Sequence, residues 1–134
     1  SKAIMESKQL LMRTREEIIE AIYTEVKEKL LAFIHSEQYI PYLLDLIKHS
    51  CKTAGEGQLT VYISQKDMEL LSPMLEDIKG SLPTGTTFEV ASDDILGGCR
   101  VLNHTQDIMV NNALLQKLES SKDSFFETCN LTIE

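Results

Sequence analysis

Cysteine is scarce in this chain and scattered where it occurs, at Cys51, Cys99 and Cys129. An odd number at wide spacing, without a C-x-x-C pair, argues against a zinc site and against a disulfide framework. Reduced, isolated thiols suit the cytoplasm. Basic residues are also few. Thirteen Lys and Arg face 21 Asp and Glu, for a net charge of −8, and a polyanion or an anionic membrane surface is then a poor partner. No apolar run approaches the roughly 18–20 residues that span a bilayer, so no direct membrane insertion is expected. The opening SKAIMESKQLLMR is polar and helical in pattern, unlike a signal peptide. It also lacks an initiating Met, so the chain reads as beginning partway along a longer helix.

Catalytic signatures are equally sparse. The three histidines, His35, His49 and His104, form no H-x-x-x-H pair. No G-x-x-x-x-G-K-[ST] loop is present to cradle a nucleotide phosphate. Gly55-Glu56-Gly57 follows a helical pattern instead of joining a strand to a helix, the wrong context for a phosphate loop. Asp93 and Asp94 are adjacent acids in a loop, read first as solvated turn formers. Cys99 reads as an inward strand residue and Cys51 as a small core residue. No cofactor or metal is expected. Asn103-His104-Thr105 and Asn130-Leu131-Thr132 match the glycosylation sequon, and both are read as chance.

What is present is an ordinary globular composition, 43% apolar and 25% charged over 134 residues, enough for one modest core. Residues 1–36 contain no Gly or Pro and read as one long helix, with residues 37–134 as a globular part. From Ile18 the helix carries a full stripe, Ile18, Ile22, Val26, Leu30, Phe33 and Ile34, in steps that share a face. Glu25 and Lys29 form a favourable i,i+4 pair. Before Ile18 the stripe thins to Ile4 and Leu11, seven residues apart as in a coiled-coil seam. A second helix begins at Tyr39-Ile40-Pro41, buries Ile40, Leu43, Leu44, Ile47 and Cys51, and ends at Gly55 as C′ residue.

Leu59–Ile63 alternates as a half-buried strand. Ser64 caps the following helix with Asp67 at N3, a variant of the capping box. Pro73 kinks that helix or restarts it with Ser72 as a new cap. Thr87–Ala91 is a second strand with Phe88 and Val90 inward. A strand, a helix and a strand in succession predict a parallel crossover. Gly97-Gly98 then leads into a hairpin of Cys99–Asn103 and Asp107–Val110, turning at His104-Thr105-Gln106. Asn111 or Asn112 caps a final helix whose buried face is Leu114, Leu118 and Phe125, with Leu115 and Phe126 beside it. Cys129–Glu134 is a tail. The fold class is α+β: a long N-terminal helix, a mixed sheet of about four strands packed with helices, and a C-terminal helix.

The stretch from Gly97 to Leu118 resembles the E subunit of the rotary V-type and A-type ATPases. That family carries a Gly-Gly, a short strand, a turn, and then roughly x-I-x-V-x-N-T-L-E-x-R-L. Gly97 and Gly98 match the glycines, and Ile108, Val110, Asn112, Leu114 and Leu118 match the strand and helix start. Ala113, Leu115 and Lys117 depart from the pattern at its Thr, Glu and Arg. The order of elements resembles the family along nearly the whole chain, and the compact connection from Ala91 to Gly97 is similar to the prokaryotic versions. The resemblance implies a non-catalytic stator: a long helix pairing with an elongated helical stalk subunit through Ile4 and Leu11, and a globular domain holding the catalytic head. It implies a cytoplasmic protein, peripheral to the membrane, in a complex coupling ATP to proton or sodium movement. Two other classes remain open, a small-ligand regulatory α/β domain with backbone approach at Gly97-Gly98, and a thiol or acid–base enzyme using Cys99 or Asp93 and Asp94.

Overall fold

A computed structural model of the chain describes the backbone of residues 2–133 and the side chains of residues 2–124. Five α-helices and four strands follow in the order α1 (Lys2–Ile34), α2 (Tyr39–Ala54), β1 (Leu59–Ile63), α3 (Gln65–Leu71), α4 (Leu75–Gly80), β2 (Thr87–Val90), β3 (Gly98–Asn103), β4 (Ile108–Ala113) and α5 (Leu114–Ile133), with a 3₁₀ turn at Ser72–Met74. The fold is α+β as the periodicities predict. The chain forms two compact units, Ser1–Ala32 with Leu118–Glu134, and Phe33–Lys117.

The second unit is built on one mixed sheet in the order β2-β1-β3-β4. β1 and β2 run parallel, as the strand–helix–strand order predicts, and the other two pairings are antiparallel. Leu59, Val61 and Ile63 of β1 and Cys99, Val101 and Asn103 of β3 turn to one face and are fully buried. Helix α2 packs on that face through Tyr39, Leu43, Ile47, Ser50, Cys51 and Ala54, whose steps of three and four make one stripe. Each such aliphatic side chain contributes about 1.5–3 kcal/mol by leaving water. Val61 lies opposite Val101 at the centre of the sheet. Tyr39, not Ile40, is the residue that α2 buries completely at its start.

Several elements differ from the sequence-based expectation. The restart at Pro73 occurs, but as a 3₁₀ turn, and Ser72 has helical backbone angles and makes no side-chain cap. The last strand is Ile108–Ala113, so Asn111 and Asn112 are strand residues, the Asn111 side chain accepting the Ala113 N–H and that of Asn112 donating to Ser50. Asp107 belongs to the turn, with φ +56°. The N–H groups that open α5 are met by main chain instead: Leu114 donates to the Gly97 carbonyl at 3.0 Å and Leu115 to that of Ile95 at 3.1 Å. Main-chain acceptors thus take two of the donors that a side-chain cap would otherwise serve. Helix α5 continues to Ile133, so residues 129–133 are helix and not tail. The side chains of Phe125, Phe126 and Cys129 lie outside the described residues.

The first unit pairs α1 with α5. Tyr23 Oη donates to Glu119 Oε1 at 2.8 Å, and Lys122 pairs with Glu20 while lying 4.8 Å from the Tyr23 ring centre. The partners step in opposite directions along the two helices, so these run antiparallel. Ile19 is the residue this packing buries; Ile18, placed in the inner stripe by its spacing, is 54% exposed. One residue is 100° around a helix, enough to exchange core for surface.

Candidate functional site

The glycine pair is a packing device. The Tyr39 hydroxyl donates to Asp67 Oδ2 at 2.6 Å and accepts the Gly98 N–H at 2.9 Å. All three residues are buried. One hydroxyl thus ties α2 to α3 and to the first residue of β3. A Cβ on Gly97 would lie 2.6 Å from that hydroxyl, and one on Gly98, whose φ is +76°, would overlap the Asn112 carbonyl oxygen. Only glycine lets the hydroxyl and the neighbouring strand approach so closely. Ser64 Oγ accepts the Asp67 N–H at 3.1 Å, the predicted cap. Burial raises the Asp67 carboxyl above its ordinary range, against the lowering effects of Tyr39 and Ser64. Burial also raises the Tyr39 phenol. Sequence reasoning misses the part played by Tyr39 and Asp67, because a Tyr at a helix start and an Asp at N3 carry no signal that they meet.

A second buried group secures the hairpin turn. Asn103 Nδ2 donates to the carbonyls of Ala54 and Glu56 at 2.9 and 3.0 Å, and Oδ1 accepts from the Thr105 and Gln106 N–H groups at 3.0 Å each. Its amide has no capacity left for a glycan, and the residue has no exposed surface. Asn112 turns toward α2 and donates from Nδ2 to Ser50 Oγ at 2.7 Å, and Cys99 Sγ lies 3.5 Å from the same oxygen.

The candidate chemical groups are occupied structurally. Cys99 is fully buried, and burial pushes its thiol up to about 11, as it does for Cys51. Such thiols are protonated at neutral pH and are poor nucleophiles. Asp93 accepts a two-pronged bond from Arg100 at 2.7 and 2.9 Å, which lowers its carboxyl below the usual range. Asp94 Oδ1 accepts the Leu96 N–H at 2.9 Å. Among the described residues no three His, Cys, Asp or Glu side chains are placed to hold a metal.

What remains is surface. Ile4, Leu11 and Ile18 recur at seven residues and are 58, 56 and 54% exposed, with Met5, Leu10 and Met12 exposed beside them. In the second unit Ile108 and Met109 of β4 are 40 and 49% exposed. Val110 is half-buried opposite Val101, and Leu114 and Leu118 are buried. The motif residues thus divide into a buried set of Gly97, Gly98, Leu114 and Leu118, the half-buried Val110 and Asn112, and an exposed Ile108.

Comparison with known proteins identifies the family. The chain matches the family described as ATP synthase (E/31 kDa) subunit over residues 1–129. It is 27% identical to the A-type ATP synthase E subunit of Methanobrevibacter smithii, over 91% of this chain and 62% of that protein. It is 25% identical to the A-type ATP synthase E subunit of Thermococcus onnurineus, over 89% of this chain and 61% of the relative, and 25% identical to that of Methanococcus maripaludis, over 92% and 64%. The chain therefore spans less than two thirds of the length of these curated relatives. A family match that runs from the start of α1 into the last turns of α5 includes both compact units, and by it the chain belongs to the family of ATP synthase E subunits.

Proposed function

We propose that this chain is a non-catalytic peripheral-stalk subunit of a V-type or A-type ATPase. It anchors the catalytic head against rotation, so that ATP hydrolysis or synthesis couples to proton or sodium transport. The observation that carries the reading is the family match across residues 1–129. Residues 1–36 form the end of the stalk helix, and residues 37–134 the part that holds the head. The complex would carry it on the cytoplasmic side, peripheral to the membrane; no helix among the described residues is long and apolar enough to cross a bilayer. The exposed series Ile4, Leu11 and Ile18 supports an elongated helical partner, because a stripe repeating every seven residues is completed by a second helix supercoiled against it. A stator works by staying attached under load. Its requirements are a stiff element, two adhesive surfaces and a domain that does not yield, and the Tyr39 and Asn103 networks supply internal cross-links for the last of these.

The test is competition. Added in excess during reassembly of a rotary ATPase stripped of its stalk, the chain should occupy the head and lower coupled ion transport, leaving uncoupled ATP hydrolysis less affected. If it neither sediments with the head nor perturbs reassembly, the stator assignment is wrong.

A further inference from the structure

The register of the hairpin leaves one edge of the sheet open in a defined way. Residues of β3 and β4 pair as Gly98 with Ala113, Arg100 with Asn111 and Leu102 with Met109, and as Cys99 with Asn112 and Val101 with Val110. One step beyond, Leu114 donates to the Gly97 carbonyl. Hydrogen-bonded and non-bonded pairs alternate in an antiparallel ladder. Hence Ile108, Val110 and Asn112 turn their main-chain groups to β3, and Met109, Asn111 and Ala113 turn theirs outward. Gly98 and His104 fit the same phase, since their N–H groups point away from β4, to Tyr39 and to Gln58. The Ala113 N–H is taken by the Asn111 side chain at 3.1 Å. Among the described residues no bond is formed by the outward N–H and C=O groups of Met109 and Asn111.

Edge strands are normally blunted by charge, proline, a bulge or short length. The other edge follows that rule. β2 has four residues, carries Glu89, and has α3 packed beside it. β4 does not follow it. It is six residues, Ile-Met-Val-Asn-Asn-Ala, without a charge or a proline, and Ile108 and Met109 are exposed.

We propose that β4 is a strand-addition site, and that its occupant is an extended segment of the catalytic head free of acidic residues. This deepens the stator reading and rests on it. The alignment of two unpaired amide and carbonyl pairs accepts an extended main chain whatever its side chains. The choice of occupant rests on charge and area. A second copy could pair in register about Val110, but it would bring another chain of net charge −8 to the edge. One strand pair alone also buries far less than the roughly 1,200 Å² of a stable interface. A neutral or basic strand projecting from a large partner meets neither obstacle, since the rest of that partner supplies the remaining area.

Proline at an outward position is the discriminating substitution. Met109→Pro removes a solvent-facing N–H and leaves the bonds to β3 in place, a position where edge strands tolerate proline. Met109→Ser changes the side chain and keeps the N–H. In binding measurements of the chain against purified catalytic head, Met109→Pro should weaken affinity about tenfold or more, and Met109→Ser less than about threefold. The melting temperature of both should stay near that of the parent. Hydrogen exchange on the unsubstituted chain provides a readout independent of any variant. The Met109 and Asn111 amides should exchange quickly in the free chain and slow when head is added. Head binding with these two amides still exchanging freely overturns the β4 site and leaves the stator reading standing. Failure of the unsubstituted chain to bind head overturns both. Protection that appears in the chain alone as its concentration rises makes the occupant a second copy and refutes the head segment.

Discussion

Tyr39, Asp67 and Asn103 carry polar groups and are buried, whereas Ile4, Leu11 and Ile18 are apolar and more than half exposed. The two regions invert the usual distribution for different physical reasons. In the interior, Asn103 makes four hydrogen bonds and the Tyr39 hydroxyl both donates and accepts, so little desolvation cost remains unmet. On α1, the apolar side chains of Ile4, Leu11 and Ile18 keep more than half of their surface in water. Polarity therefore reports whether a residue's bonds are satisfied, and exposure reports whether its surface is finished. A buried polar cluster whose bonds are met belongs to the fold, and an exposed apolar series is the part of the surface to which the proposed function assigns a partner.

The sharpest way to break the interior half of that contrast is Gly98→Ala. It forces a side chain into the left-handed region and drives Cβ against the Asn112 carbonyl, at a cost of about 3–5 kcal/mol in urea unfolding. A loss below 1 kcal/mol, roughly a tenth of a typical total stability, would show that β4 can shift freely.

Tyr39→Phe should come next. It strands the Gly98 N–H and removes a donor from Asp67, both buried, and should cost about 2–4 kcal/mol. The Asp67 carboxyl adds a pH dependence. Its folded value is raised above the ordinary 3.8, mainly by burial. The folded chain thus holds this proton more tightly than the unfolded one, and that stabilisation is complete below the unfolded value and lost as pH rises through the folded one. Asp67→Asn retains an oxygen acceptor for Tyr39 and does not ionise. Its stability relative to the parent should climb as pH rises from the unfolded value through the folded one, then level off. Urea melts across that window showing a constant difference would mean that Asp67 is not raised.

The smallest expected effect on stability lies in the exposed half. Leu11→Ser should change unfolding free energy by no more than about 0.5 kcal/mol, because the side chain is already in water. The same substitution should weaken association with a helical stalk subunit in sedimentation. A large loss of stability with no effect on association would place Leu11 in the fold and remove the surface from the comparison.

How much of the molecule is legible in the sequence varies with the range of the interaction. Local signals suffice for the Ser64 cap, the Gly55 helix end, the Glu25–Lys29 pair, the four strands and the parallel crossover. Each depends on residues a few positions apart or on a period along one segment. The faces of α1 are harder to place, since Ile18 and Ile19 fit a stripe equally well until α5 chooses between them. Asn111 and Asn112 have the composition of a helix cap and the position of strand residues. Carbonyls at Ile95 and Gly97, well separated in sequence, take over the capping that would have given them that role.

By itself the sequence determined the α+β class, the order of the elements, the resemblance to the E subunits and the apolar series at Ile4 and Leu11, because period, turn residues and motif spacing are properties of the chain alone. Tertiary structure decided that Gly97 and Gly98 serve a tyrosine 58 and 59 positions earlier, that Asn103 closes a turn over the end of α2, and that β4 presents Met109 and Asn111 at an open edge. The physical reason is that hydrogen-bond satisfaction and strand phase are relations between distant segments. They acquire values only when register and packing bring particular atoms within about 3 Å of one another.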